Sequence, residues 1–138
     1  MPHISLTALV VRDYDEAIDF YVNKLGFDLR EDTRQDEKKR WVVVAPKGSK
    51  ESGLLLAKAA TESQASAIGS QTAGRVGWFL QVEDFEKEHA RMRETGVVFE
   101  AEPRLEKYGM VAVFQDLYGN RWDLLGPPAA TNQESLLQ

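Results

Sequence analysis

The feature that most constrains this chain is that its second half repeats the pattern of its first. Asp13 precedes a run in which Ala17, Phe20, Tyr21 and Leu25 recur at helical spacing, and Gly26 follows it. Later, Asp84 precedes a run with Phe85, His89 and Met92 on one stripe, and Gly96 follows that. Asp is a strong N-cap, Glu16 supplies the acidic half of a capping box, and glycine is the usual residue just past a helix end. The spacing therefore predicts amphipathic helices over 14–25 and from Asp84 to Gly96. Thirteen positions separate Asp13 from Gly26, and 12 separate Asp84 from Gly96. A repeat of about 70 residues reads as one half-domain used twice. Each half buries too little alone, so two halves must pack edge to edge or exchange between chains.

The remaining elements fit the same repeat. Residues 4–11 and 76–82 are β-rich and lead into the two helices, and 27–30 and 97–99 follow them. Strands are predicted over 40–45 and 53–57, joined by a turn at Pro46, Lys47, Gly48 and Ser49. The hairpin predicted over 111–125 is their counterpart. Residues 58–75 are small and polar and form the connector, with Thr61 as a helix cap and Gly69 as a stop. The expected class is α+β: one domain over 1–138 made of two βαβββ modules, 4–57 and 76–126, with a C-terminal tail at 127–138.

Within 111–125 the chain turns at Asp116-Leu117-Tyr118-Gly119-Asn120, where Gly119 and Asn120 tolerate positive φ. In the closing strand Trp122 and Leu124 share one face, and Arg121, Asp123 and Leu125 share the other. Asp123 then points where neighbouring strands enclose it. The alternative is a surface hairpin with a solvated Asp.

Composition removes several function classes. The chain has no cysteine, so it has no disulfide framework and no cysteine nucleophile. A net charge of −5 argues against a nucleic-acid partner, and Lys38-Lys39-Arg40 is too short a basic run to reverse that. No apolar run approaches the roughly 18 residues of a membrane helix, and Met1-Pro2-His3 begins no signal peptide. A cytoplasmic protein is expected.

Four stretches carry a resemblance: Leu9-Val10-Val11-Arg12-Asp13, Ala17-Ile18-Asp19-Phe20-Tyr21, Leu25-Gly26-Phe27, and Asp116-Leu117-Tyr118-Gly119-Asn120-Arg121-Trp122-Asp123. Together they resemble the opening and the closing hairpin of the vicinal oxygen chelate superfamily of glyoxalases, bleomycin-resistance proteins and extradiol dioxygenases. The similarity runs from about Ile4 to Pro127. It implies strands curled around a concave pocket and a homodimer, and it names no single activity.

Metal-using members of that superfamily place His and Glu ligands on the first and last strands of each half. Seven positions before Asp13 stands Leu6, and seven before Asp84 stands Gly77. The last-strand position of the first half falls within Leu54-Leu55, so only Asp123 keeps a carboxylate. One carboxylate cannot hold a catalytic ion against water. His3 is an odd offset from Leu6 and faces the other way, and His89 shares the stripe of Phe85 and Met92. No metal cofactor is expected.

By the same parity Leu6, Ala8 and Val10, and Gly77, Phe79 and Gln81, face the pocket, with Gly77 leaving open space. Arg121 and Asp123 enter from the closing strand. Residues 103–109, with Arg104 and Tyr108, form a loop over the mouth, and Trp41 is a candidate wall. Each aromatic also has a plain reading as core. Such a pocket suits a small organic guest, and the acidic balance with Asp123 favours a cation. The alternative is a glyoxalase-type lyase or dioxygenase that uses a divalent metal or takes Asp123 as general base. The sequence is silent on a regulatory or scaffolding role.

Overall fold

In a computed structural model that describes residues 1–128, the chain divides into two units, 1–71 and 72–138. The tail expected at 127–138 lies, from 129 onward, outside the described residues. The class is α+β, and the units repeat one strand order.

The first unit contains β1 (Leu6–Val11), α1 (Tyr14–Ile18), a π-helical continuation (Asp19–Lys24), β2 (Asp28–Arg34), β3 (Arg40–Ala45), β4 (Gly53–Lys58) and α2 (Glu62–Ser66). Its sheet order is β1-β4-β3-β2, with β1 parallel to β4 and the other pairs antiparallel. Leu9, Val11, Val42, Val44, Leu54 and Leu56 form one buried face of this sheet. Helix α1 packs on β3 and β4, and Tyr14, Ala17, Phe20, Tyr21 and Leu25 are buried with them. The open edge of β1 is not bare: the Gln71 amide donates to Ala8 O at 3.0 Å and accepts from Val10 N at 2.8 Å. One side chain thus stands in for a neighbouring strand.

The helix expected over 14–25 is helical throughout but not α throughout. Asp13 caps it by accepting from Glu16 N at 2.9 Å. From Asp19 the ladder widens, with Leu25 N bonding Phe20 O at 3.0 Å and Phe27 N reaching Tyr21 O at 2.8 Å. In the second unit the corresponding end is a regular Schellman close, Gly96 N to Arg93 O and Val97 N to Met92 O. The π turn absorbs the one extra residue in the first repeat, so Phe20, Tyr21 and Leu25 all still reach the core.

The second unit contains β5 (Trp78–Gln81), α3 (Phe85–Glu94), β6 (Val98–Phe99), β7 (Arg104–Glu106), β8 (Gly109–Gln115) and β9 (Arg121–Gly126). Its order β5-β9-β8-β6 repeats that of the first sheet, with β7 added beside β8. Asp84 caps α3 through Lys87 N at 3.2 Å. Trp78, Trp122, Phe114 and Phe99 occupy one cross-strand row. Their ring centroids are 5.7, 5.6 and 5.7 Å apart in succession. His89 continues the row to the helix, 4.4 Å from the Phe99 ring and 5.8 Å from Phe85. Each such ring pair adds about 0.5–1.5 kcal/mol beyond simple burial.

Three expectations need correction. Residues 103–109 are not a loop, because Arg104–Glu106 pairs with β8 through a two-residue turn at Lys107 and Tyr108. Gly109 makes this possible, since its φ is +127° and an added Cβ would lie 2.6 Å from Gly126 O. The two modules therefore hold nine strands rather than eight. Strand β2 runs to Arg34, well past residue 30, because the bulge between Leu29 and Glu31 lets pairing continue along β3.

Candidate functional site

The closing hairpin is locked by its own turn. Asp116 Oδ1 accepts from Tyr118 N and Asn120 N, each at 2.9 Å, and Asp116 Oδ2 accepts from Asn120 Nδ2 at 2.8 Å. Gly119 has φ of +90°, as the turn requires. With the turn fixed, alternation decides the faces of β9. Trp122 and Leu124 go to the core at 4% and 0% exposure, and Arg121, Asp123 and Leu125 take the other face.

Register places Asp123 between Phe79 of β5 and Val113 of β8. The next row holds Gln81, Leu125, Val111 and Arg104. Phe79 is 62% exposed although it is a large aromatic in a strand. Asp123 Oδ1 is buried and has no hydrogen-bond partner among the described residues. Burial pushes the Asp123 carboxyl above its ordinary value, Arg104 and Arg121 pull it back, and Glu100 adds to the rise.

Both arginines are already matched. Arg121 Nε and Nη2 reach the two Glu100 oxygens, each at 2.8 Å, and its Nη1 donates to Gly74 O at 3.0 Å. Glu100 also accepts from Gln115 Nε2 at 3.0 Å. Arg121 first, and then Gln115, hold the Glu100 carboxyl below its usual range. Arg104 Nε donates to Glu106 at 2.7 Å. The bidentate pair is the fork geometry that suits Arg and carboxylate. With Arg121 offset by Glu100 and Arg104 by Glu106, the Asp123 carboxylate is the charge left over in this cluster.

The structure thus brings Phe79, Asp123, Arg121, Gln81 and Arg104 onto one face of the second sheet. Tyr108 is 69% exposed at the turn before β8. Gly77 does not leave open space: an added Cβ would meet Thr72 Cγ2 at 2.5 Å, so the connector fills the gap. Trp41 belongs to the first unit and lines a cavity there with Tyr14, Leu55 and Ala57. Sequence reasoning missed Glu100, Glu106, Gln115 and Thr72. Glu100 becomes visible only once Phe99 is paired with Phe114, which sets it opposite Val113. His89 is a core-edge ring, with burial first and then Arg93 lowering its pKa against Glu102.

The resemblance sets four positions of this chain against the ligands of metal-using members, and they hold Leu6, a leucine of the Leu54-Leu55 pair, Gly77 and Asp123. Thr72 occupies the place a side chain at 77 would need. Among the described residues no three His, Cys, Asp or Glu side chains gather around one point. This donor set does not fit a divalent ion.

The pattern of the Glyoxalase/Bleomycin resistance protein/Dioxygenase superfamily matches residues 2–124. An uncharacterized protein of Shewanella frigidimarina is 59% identical over 119 residues, covering 86% of this chain and 88% of its own. The crystal structure of UcmS2 is similar at a TM-score of 0.79 and 33% identity, covering 91% of this chain and 98% of that one. TnmS3, an antibiotic binding protein from Streptomyces sp. CB03234, is similar at a TM-score of 0.72 and 31% identity, covering 93% and 98%. Together with the repeated strand order and the closing hairpin, these matches establish that the chain belongs to the Glyoxalase/Bleomycin resistance protein/Dioxygenase superfamily.

Proposed function

We propose that this chain binds a small organic molecule without a metal, with Asp123 as its polar anchor and Phe79 as the aromatic surface beside it. The observation that carries the reading is the buried Asp123 Oδ1, which lacks a partner while both nearby arginines are matched. A buried carboxylate oxygen is costly to leave unpaired, and a guest that donates to it, an ammonium above all, recovers that cost. Phe79 offers the guest an exposed ring face. Gln81, Arg104, Tyr108 and Arg121 flank the anchor and limit the guest's size. Similarity to an antibiotic binding protein supports the same reading. We place the chain in the cytoplasm as a homodimer.

Native mass spectrometry and elemental analysis of the purified protein test this reading together. An organic adduct without a stoichiometric divalent metal is the expected result. A divalent metal at one per chain would overturn the metal-free reading.

A second reading rests on the raised Asp123 carboxyl. A carboxylate made more basic by burial suits a general base that abstracts a proton in a glyoxalase-type lyase or dioxygenase reaction. Under that reading Asp123→Asn abolishes turnover of a substrate whose binding survives. Under the anchor reading binding itself is lost.

A further inference from the structure

Glu100 follows β6 directly, and its N–H donates to Val113 O at 2.9 Å. Val113 stands opposite Asp123 in the β8–β9 register, and Asp123 stands opposite Phe79 in the β9–β5 register. Glu100 and Asp123 therefore share one row of the second sheet. Gln115 and Arg121 face each other two residues along the same strands. Same-face residues two apart on a strand sit about 7 Å from one another. The Arg121 stem is long and flexible enough to bring its guanidinium to either carboxylate.

It goes to Glu100. Arg121 Nε and Nη2 meet the two Glu100 oxygens at 2.8 Å each, and Gln115 Nε2 steadies the same carboxylate at 3.0 Å. The remaining nitrogen, Nη1, donates to Gly74 O at 3.0 Å. All three guanidinium nitrogens are thus engaged, and Arg121 acts on Asp123 only as a charge at a distance. Asp123 Oδ1 meanwhile is buried without a partner among the described residues. An unpaired buried carboxylate oxygen is a strong lure for a neighbouring guanidinium, so something must hold Arg121 back.

We propose that Glu100 determines the charge of the guest: by holding Arg121 in its fork it keeps Asp123 open to a cation, an inference that rests on the anchor reading of Asp123. Without the Glu100 carboxylate, Arg121 closes on Asp123 and the cation site becomes a neutral ion pair. Glu100 bonds Arg121 and Gln115 rather than the guest, so it is a positioning residue. Its side chain is 27% exposed and that of Arg121 is 36% exposed, so both positions tolerate substitution.

The test has two arms on the full chain. In the first, the Asp123 side-chain carboxyl is titrated by carbon NMR with no guest present. It should titrate above its ordinary value of 3.8 in the wild type. In Glu100→Gln it should fall below 3.8, because Arg121 now donates to it, and in Glu100→Gln/Arg121→Met it should rise above 3.8 again. In the second arm, proflavine, a planar aromatic cation, is titrated by fluorescence. Glu100→Gln should bind it about tenfold more weakly, the double variant should regain the lost affinity, and Arg121→Met alone should bind at least as well as the wild type. Amide spectra check that each variant folds, and Arg121→Met keeps the proposal open to refutation if Glu100→Gln does not. An Asp123 carboxyl that stays above 3.8 in Glu100→Gln, affinity not regained in the double variant, or weaker binding in Arg121→Met would each overturn the proposal. The carboxyl titration needs no guest, so it can fail while Asp123 still anchors a cation. Equal proflavine affinity in wild type and Asp123→Asn would instead remove the anchor reading.

Discussion

Asp123 and Arg40 show two opposite uses of a half-buried charge. Arg40 is met by Asp32 and Asp15 and covers the Tyr14 ring, so its guanidinium ties α1, β2 and β3 together. Asp123 has an unmatched oxygen, and its folded-state pKa is raised. A group with a raised folded pKa stabilises the fold below its ordinary value, here 3.8, and that contribution is lost as pH rises through the folded value. Asp123→Asn should therefore be neutral or stabilising by about 1 kcal/mol near neutral pH, with the gap closing in acid. Thermal melts across pH check this, and a clear loss of stability at neutral pH would mean a structural role instead. Asp32 runs the other way. Its pKa is lowered chiefly by the Arg40 hydrogen bond, so its contribution holds above 3.8 and is lost as pH falls through the folded value. Arg40→Met should cost about 1 kcal/mol, discounted because Asp32 and Asp15 remain partly in solvent. Alternation made the facing of Trp122, Asp123 and Phe79 legible in the sequence. The pairing of Arg121 with Glu100 was not, because it spans 21 positions and depends on how β6 docks.

At the scale of elements, the extra residue between Asp13 and Gly26 has a physical destination. Deleting Asn23, which is exposed in the π segment, should restore a regular helix and keep Phe20, Tyr21 and Leu25 facing the core. The expected cost is below about 2 kcal/mol by denaturant unfolding. Deleting Lys87 from α3, where no bulge exists, turns Phe85 away from Met92 by about a quarter turn or more and should unfold the unit. The aromatic row of β5, β9, β8 and β6 is the second unit's main brace. Trp122→Ala, at its centre, should cost about 3–5 kcal/mol. The helices and most strands were legible from caps and periodicity. Strand β7 was not, since Arg104-Leu105-Glu106 is too short and polar to read as a strand without β8 beside it. Thr72 filling the space at Gly77 also escaped, because a connector residue carries no periodicity to place it.

At the scale of the molecule, the repeat explains the architecture, and the side chains it carries are the basis on which metal-free binding is proposed. A homodimer is proposed from the family resemblance and from sheet edges that a partner chain can cover. Light scattering at micromolar concentration should give about twice the 15.5 kDa chain mass, and a monomer mass would count against it. Asp123 is proposed to hold a cationic organic guest without a metal. Titrating proflavine, a planar aromatic cation, into wild-type and Asp123→Asn protein by fluorescence, each with and without a chelator, tests it most directly. The chelator should change nothing, and Asp123→Asn should bind about tenfold more weakly or worse. Equal affinity for both proteins, or binding lost on chelation, would contradict it.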